Sequence, residues 1–423
     1  MSRKFKLNLS ATLAINERCN ALENEGKKIY RMGFGQSPFP VPEIVVDSLK
    51  KNAHRKEYLP VQGLPELRTA VANFHQRIDG LNFKSKNIMI GPGSKELMFL
   101  LQSVLNWDII LPTPCWVSYA PQAEISGNPI RFLHTQFEDG WRLTAKLLNE
   151  YVKNNKRSRN RLIILNYPGN PDGSTYLNDE LKDIAEILRK NKITVLSDEI
   201  YGLINHNGTH SSIAKYYREG TIVSSGLSKW CGAGGWRLGT MSFPDELSQL
   251  LKPMTAMASE TFASVSAPIQ YAAISAFLGG PIIDDYLFHV RRILKIIGES
   301  SFNILNVNGI NVVLPQGGFY LFPVFNNINR AITNFEINSS NDFCNLLLEK
   351  TGVALLPGTD FNRNDTELSC RLAYVNFDGT EAVKISESIG KSTNLTINDL
   401  TSVCGDVLGG INKLIEFVEL YKS

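Results

Sequence analysis

The sequence predicts an α/β protein built on a mostly parallel sheet with helices on both faces, and three observations carry that prediction. From about residue 45 to about 310, helical apolar periodicity alternates with short β-branched runs, the pattern of a layered α/β architecture. Several of those runs end in a Gly, Pro, Asp or Ser cluster, where open α/β sheets form their ligand sites. The 423 residues exceed what one hydrophobic core usually supports, so two domains are expected.

Seven runs are candidate strands: 87–90, 108–111, 129–133, 162–165, 193–196, 221–224 and 238–243. Pro65 suits the first turn of a helix whose apolar residues Leu67, Val71, Phe74 and Ile78 recur at helical spacing. A second helix is expected to open at Ser94 as its cap and to bury Leu97, Leu100, Leu101 and Val104. A third is expected through Leu400, Val403, Val407, Ile411, Leu414, Ile415 and Val418, weakened by Gly405, Gly409 and Gly410, and covering a smaller domain.

Composition limits the function classes. With 43% apolar and 20% charged residues the chain reads as an ordinary soluble globular protein. Its 44 basic and 41 acidic residues are spread along the chain, which leaves no broad basic face for nucleic acid and favours small-molecule chemistry. The six cysteines, at 19, 115, 231, 344, 370 and 404, form no Cys-x-x-Cys pair and have no histidine at ligand spacing. They point to a reducing compartment and to no metal site. No leader-like apolar segment stands in residues 1–30 and no membrane-spanning run appears, so a cytoplasmic protein with no membrane partner is expected. The basic run 153–161 reads as a solvated connection, and 362–367 as a polar surface loop.

The chemistry concentrates at the strand ends. Lys229 and Arg237 lie in a Gly/Ser-rich stretch just after the run 221–223, where a lysine can link covalently to an aldehyde cofactor and an arginine can clamp its phosphate. Asp198 ends another strand, and a carboxylate there either caps a helix or holds a protonated ring nitrogen. Tyr201 and Asn170 could both reach a ring hydroxyl, although the stretch Pro168-Gly169-Asn170-Pro171-Asp172-Gly173 would form a turn regardless. Gly91-Pro92-Gly93-Ser94-Lys95 joins a strand to a helix start, which can receive a phosphate with Ser228 and Arg237, or can simply be a tight turn. Trp116 is either a core residue or a flat platform for an aromatic ring. Arg371, inside an apolar strand pattern, needs a partner for its charge, either an internal carboxylate or that of a substrate.

In order and spacing, Ser228-Lys229 followed by Gly-Trp-Arg-x-Gly at 235–239, Asn-Pro-x-Gly at 170–173, Asp-Glu-x-Tyr at 198–201 and Gly-Gly-Phe-Tyr at 317–320 resemble the pyridoxal-phosphate-dependent aminotransferases of fold type I, class I/II. The resemblance runs from about Gly33 to about Val375. It implies a seven-stranded, mostly parallel sheet in a large domain from about 45 to 310, with 1–44 and 311–423 forming a smaller α+β domain. It implies pyridoxal 5'-phosphate linked to Lys229, which also shuttles the proton at the substrate α-carbon. Asp198 would pair with the ring nitrogen, Asn170 and Tyr201 would hold the ring oxygen, and Trp116 would stack on the ring. Gly93, Ser94, Lys95, Ser228 and Arg237 would cradle the phosphate, joined by Tyr58 from a second copy across a homodimer interface. Gly35, Trp116, Asn170 and Arg371 would meet the substrate, with Arg371 gripping its α-carboxylate.

Three departures stand out against the family pattern: Asp172 where threonine is common, Gly226 where serine is frequent, and Ala233-Gly234 before Gly-Trp-Arg. The implied reaction is ping-pong transfer of an amino group from an L-amino acid to a 2-oxo acid, with aspartate or glutamate and 2-oxoglutarate favoured over aromatic substrates. The same apparatus could run the eliminations of carbon–sulfur lyases or aminocyclopropane-carboxylate synthases, or serve as a cofactor-sensing domain of a transcription regulator. Only about thirty residues precede the first motif, too few for the DNA-binding domain such regulators carry.

Overall fold

The structure, a computed structural model, describes residues 11–155, 159–325, 328 and 336–421. Residues 156–158 of the basic run lie outside the described residues. Twelve strands are present among them: β1 (Tyr30–Arg31), β2 (Ile88–Gly91), β3 (Asp108–Thr113), β4 (Ile130–His134), β5 (Arg161–Asn166), β6 (Ile193–Asp198), β7 (Thr221–Gly226), β8 (Gly239–Ser242), β9 (Tyr320–Leu321), β10 (Val353–Ala354), β11 (Leu356–Pro357) and β12 (Cys370–Ala373). Seven of them form one sheet in the order β2-β8-β7-β6-β5-β3-β4. These are the seven runs singled out from the sequence, and only β8 runs antiparallel to its neighbours. β5, β6 and β7 are buried along almost their whole length, which is why they read as continuous apolar runs and not as alternating ones.

Helices cover both faces of this sheet. Pro65–Asp79 carries its proline in the first turn and buries Leu67, Val71 and Phe74, but Ile78, expected on the same face, is 39% exposed at the frayed end of the core. Ser94–Val104 buries Leu97, Leu100 and Leu101, whereas Val104 is only half-buried. The expectation that Ser94 caps this helix is corrected. The cap is Gly93, at φ 90°, and no side chain bonds the first-turn amides. The chain must reverse from β2 into the helix through a left-handed residue, and glycine does so without strain.

The expected helix from Leu400 begins instead at Gly405 and runs to Leu420, after a separate 3-10 turn at Asn398–Leu400. Its Val407, Ile411, Leu414 and Val418 are buried as anticipated. Segment 362–367 is also more than a surface loop. Arg363 lies over the Trp141 ring at 4.7 Å, donates to the carbonyls of Thr113 and Thr135 at 3.0 Å each, and pairs with Glu367 at 2.6 Å.

The chain's first and last parts meet through strand pairing. β1 pairs in parallel with β10, and β11, β12 and β9 form a small antiparallel sheet that carries Arg371. The 27-residue helix Pro281–Val307 joins the regions, and one apolar cluster runs from Leu67 through Val290 and Ile297 to Tyr374 and Val418. No described helix is long and apolar enough to cross a membrane.

Candidate active site

The carboxyl ends of β2, β5, β6 and β7 lie along one edge of the large sheet, so the predicted residues converge there. In register, Asn166 stands beside Asp198, and Asp198 beside Ser224. Asp198 is buried, and Tyr119 donates its hydroxyl hydrogen to Oδ2 at 2.6 Å. The other oxygen, Oδ1, is buried with no hydrogen-bond partner among the described residues. Burial raises the carboxyl's pKa to about 6, against the opposite pull of the Tyr119 bond. Asn166 ties the neighbouring turn down, its amide donating to the Asp198 carbonyl at 2.8 Å while its Oδ1 accepts from the Asn170 N–H at 2.8 Å.

Lys229 follows β7 by three residues and is half-buried. Its Nζ donates to the Gly35 carbonyl at 2.8 Å and lies 5.7 Å from the Tyr201 ring centre and 5.6 Å from that of Phe319. Burial lowers its pKa, Arg371 and Arg237 lower it further, and Tyr320 and Asp198 oppose the shift. An amine so placed is more readily free of its proton than an exposed lysine. Tyr201 is buried, with its hydroxyl 3.0 Å from that of Tyr320, and burial followed by Tyr320 holds its pKa well above the usual phenol value. Gly35 is required here, because a Cβ on it would fall 2.0 Å from the Tyr320 hydroxyl.

At the other end of the cluster, the Gly93 turn and Arg237 lie against each other. A Cβ on Gly93 would come 2.1 Å from the Arg237 Nη2. Arg237 donates to the Gly234 carbonyl at 2.9 Å, and Ser228 is half-buried in the same stretch. Lys95 extends over the Trp116 ring at 5.1 Å, and Trp116 meets Tyr119 edge-on at 5.2 Å. Burial, then Arg237 and Lys229, lower the Lys95 pKa, so three cations share one region with no carboxylate paired to any of them among the described residues. An anion there would relieve their repulsion.

Arg371 is 1% exposed, yet no carboxylate forms an ion pair with it among the described residues. Its Nη1 donates to Asn170 Oδ1 at 3.0 Å and its Nη2 to the Gly33 carbonyl at 2.6 Å, while its Nε is buried without a partner. The guanidinium lies over Tyr320 at 4.6 Å and Phe361 at 5.1 Å. The Arg371 charge pulls down the pKa of Asp360, which burial raises to about 6, but no ion pair at contact distance joins the two.

Tyr58 is the exception among the predicted residues. It is 94% exposed and is not gathered with the others within one chain. Conversely, Tyr119, Asn166 and Tyr320 contact the predicted residues but were not singled out from the sequence. Tyr320 stood in the Gly-Gly-Phe-Tyr motif and Asn166 and Tyr119 in quoted stretches, but which side chain points inward depends on the packing. Gly226 is explained by space: a Cβ there would lie 2.7 Å from the Leu238 carbonyl and 3.0 Å from the Gly239 Cα.

The model of the family described as aminotransferase class I and II matches residues 27–381. The chain belongs to the class I and II aminotransferases. This aminotransferase is 32% identical over 383 residues to an aspartate aminotransferase of Bacillus sp. (strain YM-2), covering 88% of this chain and 94% of that protein. It is 31% identical over 400 residues to an asparagine–oxo-acid transaminase of Streptococcus mutans, covering 92% and 97%. Among solved structures, an aspartate aminotransferase from Rhizobium meliloti matches with a TM-score of 0.82 at 25% identity, covering 100% of this chain and 99% of that one. The family uses pyridoxal phosphate, and the residues of this aminotransferase fit that group: a buried unpaired carboxylate oxygen for a ring N–H, converging cations for a phosphate, and a desolvated lysine for the aldehyde.

Proposed function

We propose that this aminotransferase binds pyridoxal 5'-phosphate at the carboxyl edge of its large sheet and uses aspartate or glutamate with 2-oxoglutarate. The observation that carries the reading is Arg371, a buried guanidinium with no carboxylate at ion-pair distance among the described residues, close enough to Lys229 to lower its pKa. When bound, the cofactor supplies an aldehyde that condenses with amines and a ring that withdraws electrons from the substrate α-carbon. Lys229 Nζ, whose pKa burial lowers, would take the α-proton and later return it. Asp198 Oδ1 would hold the ring N–H, and the Tyr119 bond keeps that carboxyl oriented and favours its ionised form. Tyr201 and Asn170 would orient the ring oxygen, and Trp116 would stack on the ring. Gly93, Ser94, Lys95, Ser228 and Arg237 bind the phosphate. Arg371 grips the α-carboxylate beside Gly35, a planar fork that orients the bond to be broken.

The same reading divides the chain into a large domain, 45–310, and a smaller one from 1–44 and 311–423. It makes the active unit a homodimer in which Tyr58 of one copy completes the phosphate site of the other, consistent with a tyrosine left 94% exposed. A cytoplasmic location accords with six free, buried cysteines. The names of several relatives, aspartate aminotransferases among them, support the substrate preference. The test is to mix holoenzyme with a panel of L-amino acids and follow conversion to pyridoxamine phosphate. Fastest conversion with aspartate or glutamate, with the matching 2-oxo acid formed, supports the reading; pyruvate with ammonia would instead assign elimination.

A further inference from the structure

Asp172 occupies the position where related sequences commonly carry threonine, and its surroundings are not those of a surface turn residue. It is buried, and its Oδ1 is tucked against Gly169, 1.7 Å from where a Cβ on that glycine would stand. The turn it closes is tight: the Gly169 N–H donates to the Ser174 carbonyl at 2.8 Å and the Gly173 N–H to the Gly169 carbonyl at 2.9 Å. The carboxyl accepts from its own N–H and that of Ser174, and meets the Ser174 hydroxyl. That hydroxyl spends its hydrogen on the Gly140 carbonyl, at 2.8 Å. Asn170 belongs to the same turn, and its Oδ1 receives Arg371 Nη1 at 3.0 Å.

We propose that Asp172 is a positioning residue for Asn170 and, through it, for the Arg371 guanidinium, and that its carboxyl gives substrate-carboxylate binding a pH dependence that a hydroxyl side chain at this position would not. This rests on the reading of Arg371 as the carboxylate clamp. The neutral acid can donate to Ser174 Oγ, which donates onward to Gly140, so an unbroken chain of hydrogen bonds pins the turn. The ionised form has no hydrogen to give, competes with Gly140 for that of Ser174, and stands desolvated in a cavity of about 40 Å³. Moving the turn toward water is the relief available to it.

The charged and titratable groups facing Asp172 are few. Arg142 supplies a nearby positive charge, itself paired with Glu180 at 3.2 Å. Tyr176, Tyr119 and Cys115 line the same cavity, and burial raises the pKa of each. Burial likewise raises the Asp172 pKa, to about 7, with the hydrogen bonds and Arg142 opposing. Because this value lies above that of an exposed carboxyl, the neutral form is the one the fold favours. The stabilisation is full in acid and is lost as pH rises through about 7.

The experiment uses the holoenzyme and maleate, an unreactive dicarboxylate, with its dissociation constant read from the cofactor absorbance between about pH 5 and about pH 9. Wild type, Asp172→Thr and Asp172→Asn are compared, the near-isosteric Asn variant serving if the Thr variant does not fold. The expected result is a roughly fivefold steeper weakening of maleate binding in wild type across neutral pH, absent from both variants, about the worth of one hydrogen bond. Parallel pH profiles in wild type and variants would overturn the proposal. Arg371→Leu separates the two readings: if it leaves maleate binding unchanged, the clamp assignment has failed, whereas weakened binding with parallel Asp172 profiles defeats only the positioning role.

Discussion

Tyr119 donates its hydroxyl hydrogen to Asp198 Oδ2 at 2.6 Å and so leaves Oδ1 of the same buried carboxyl free to face the site. The bond orients the group and favours its ionised form against burial, which pulls the other way. Tyr119→Phe removes the donor without changing the ring. The expected outcome is pyridoxal phosphate binding weaker by roughly tenfold, about 1–2 kcal/mol, measured by absorbance titration of the apoprotein.

The sign of the Asp198 shift gives a second prediction. Its pKa in the folded apoprotein, about 6, lies above that of an exposed carboxyl, so its contribution to stability is full in acid and is lost as pH rises through about 6. Thermal unfolding of the apoprotein across this window should show a loss in wild type that Asp198→Asn lacks. With Asp198 holding the ring N–H as proposed, cofactor affinity would draw on the ionised form and should rise with pH over the same range in wild type only.

Arg371→Lys keeps the charge and loses the planar fork. The KM for aspartate should rise by about 100-fold, while the pyridoxal phosphate dissociation constant stays within about threefold. Equal losses of both would count against a clamp that meets substrate alone.

Gly226→Ser installs the residue that the family resemblance leads one to expect, yet it should destabilise this chain. The added Cβ meets backbone, the Leu238 carbonyl at 2.7 Å, and backbone cannot rotate aside. A loss of about 1–3 kcal/mol in unfolding free energy is expected by denaturant titration.

The central strands β5, β6 and β7 were legible because strands buried on both faces read as apolar runs between turn residues, whereas β4, at the sheet's edge, is exposed along most of its length. The residues around Lys229 were legible because strand-end positions are local in sequence. Ser94 was mistaken for a cap because the alternative, a left-handed Gly93, is set by the angle between β2 and its helix. The helix expected from Leu400 was placed early because a 3-10 turn continues its apolar spacing. Tyr119, Asn166 and Tyr320 escaped notice because their roles depend on contacts 79, 32 and 119 residues away along the chain. Arg363 read as a loop residue for the same reason, its carbonyl partners lying 250 and 228 residues distant.

The most direct test of the account concerns Lys229. Holoenzyme reduced with borohydride and digested should yield one modified peptide, with the pyridoxyl mass on Lys229. Lys229→Ala should carry no fixed cofactor and should lose activity by about 1,000-fold or more. A Lys229→Ala protein that still fixes the cofactor covalently, on any other lysine, and still transfers amino groups at the wild-type rate would contradict it.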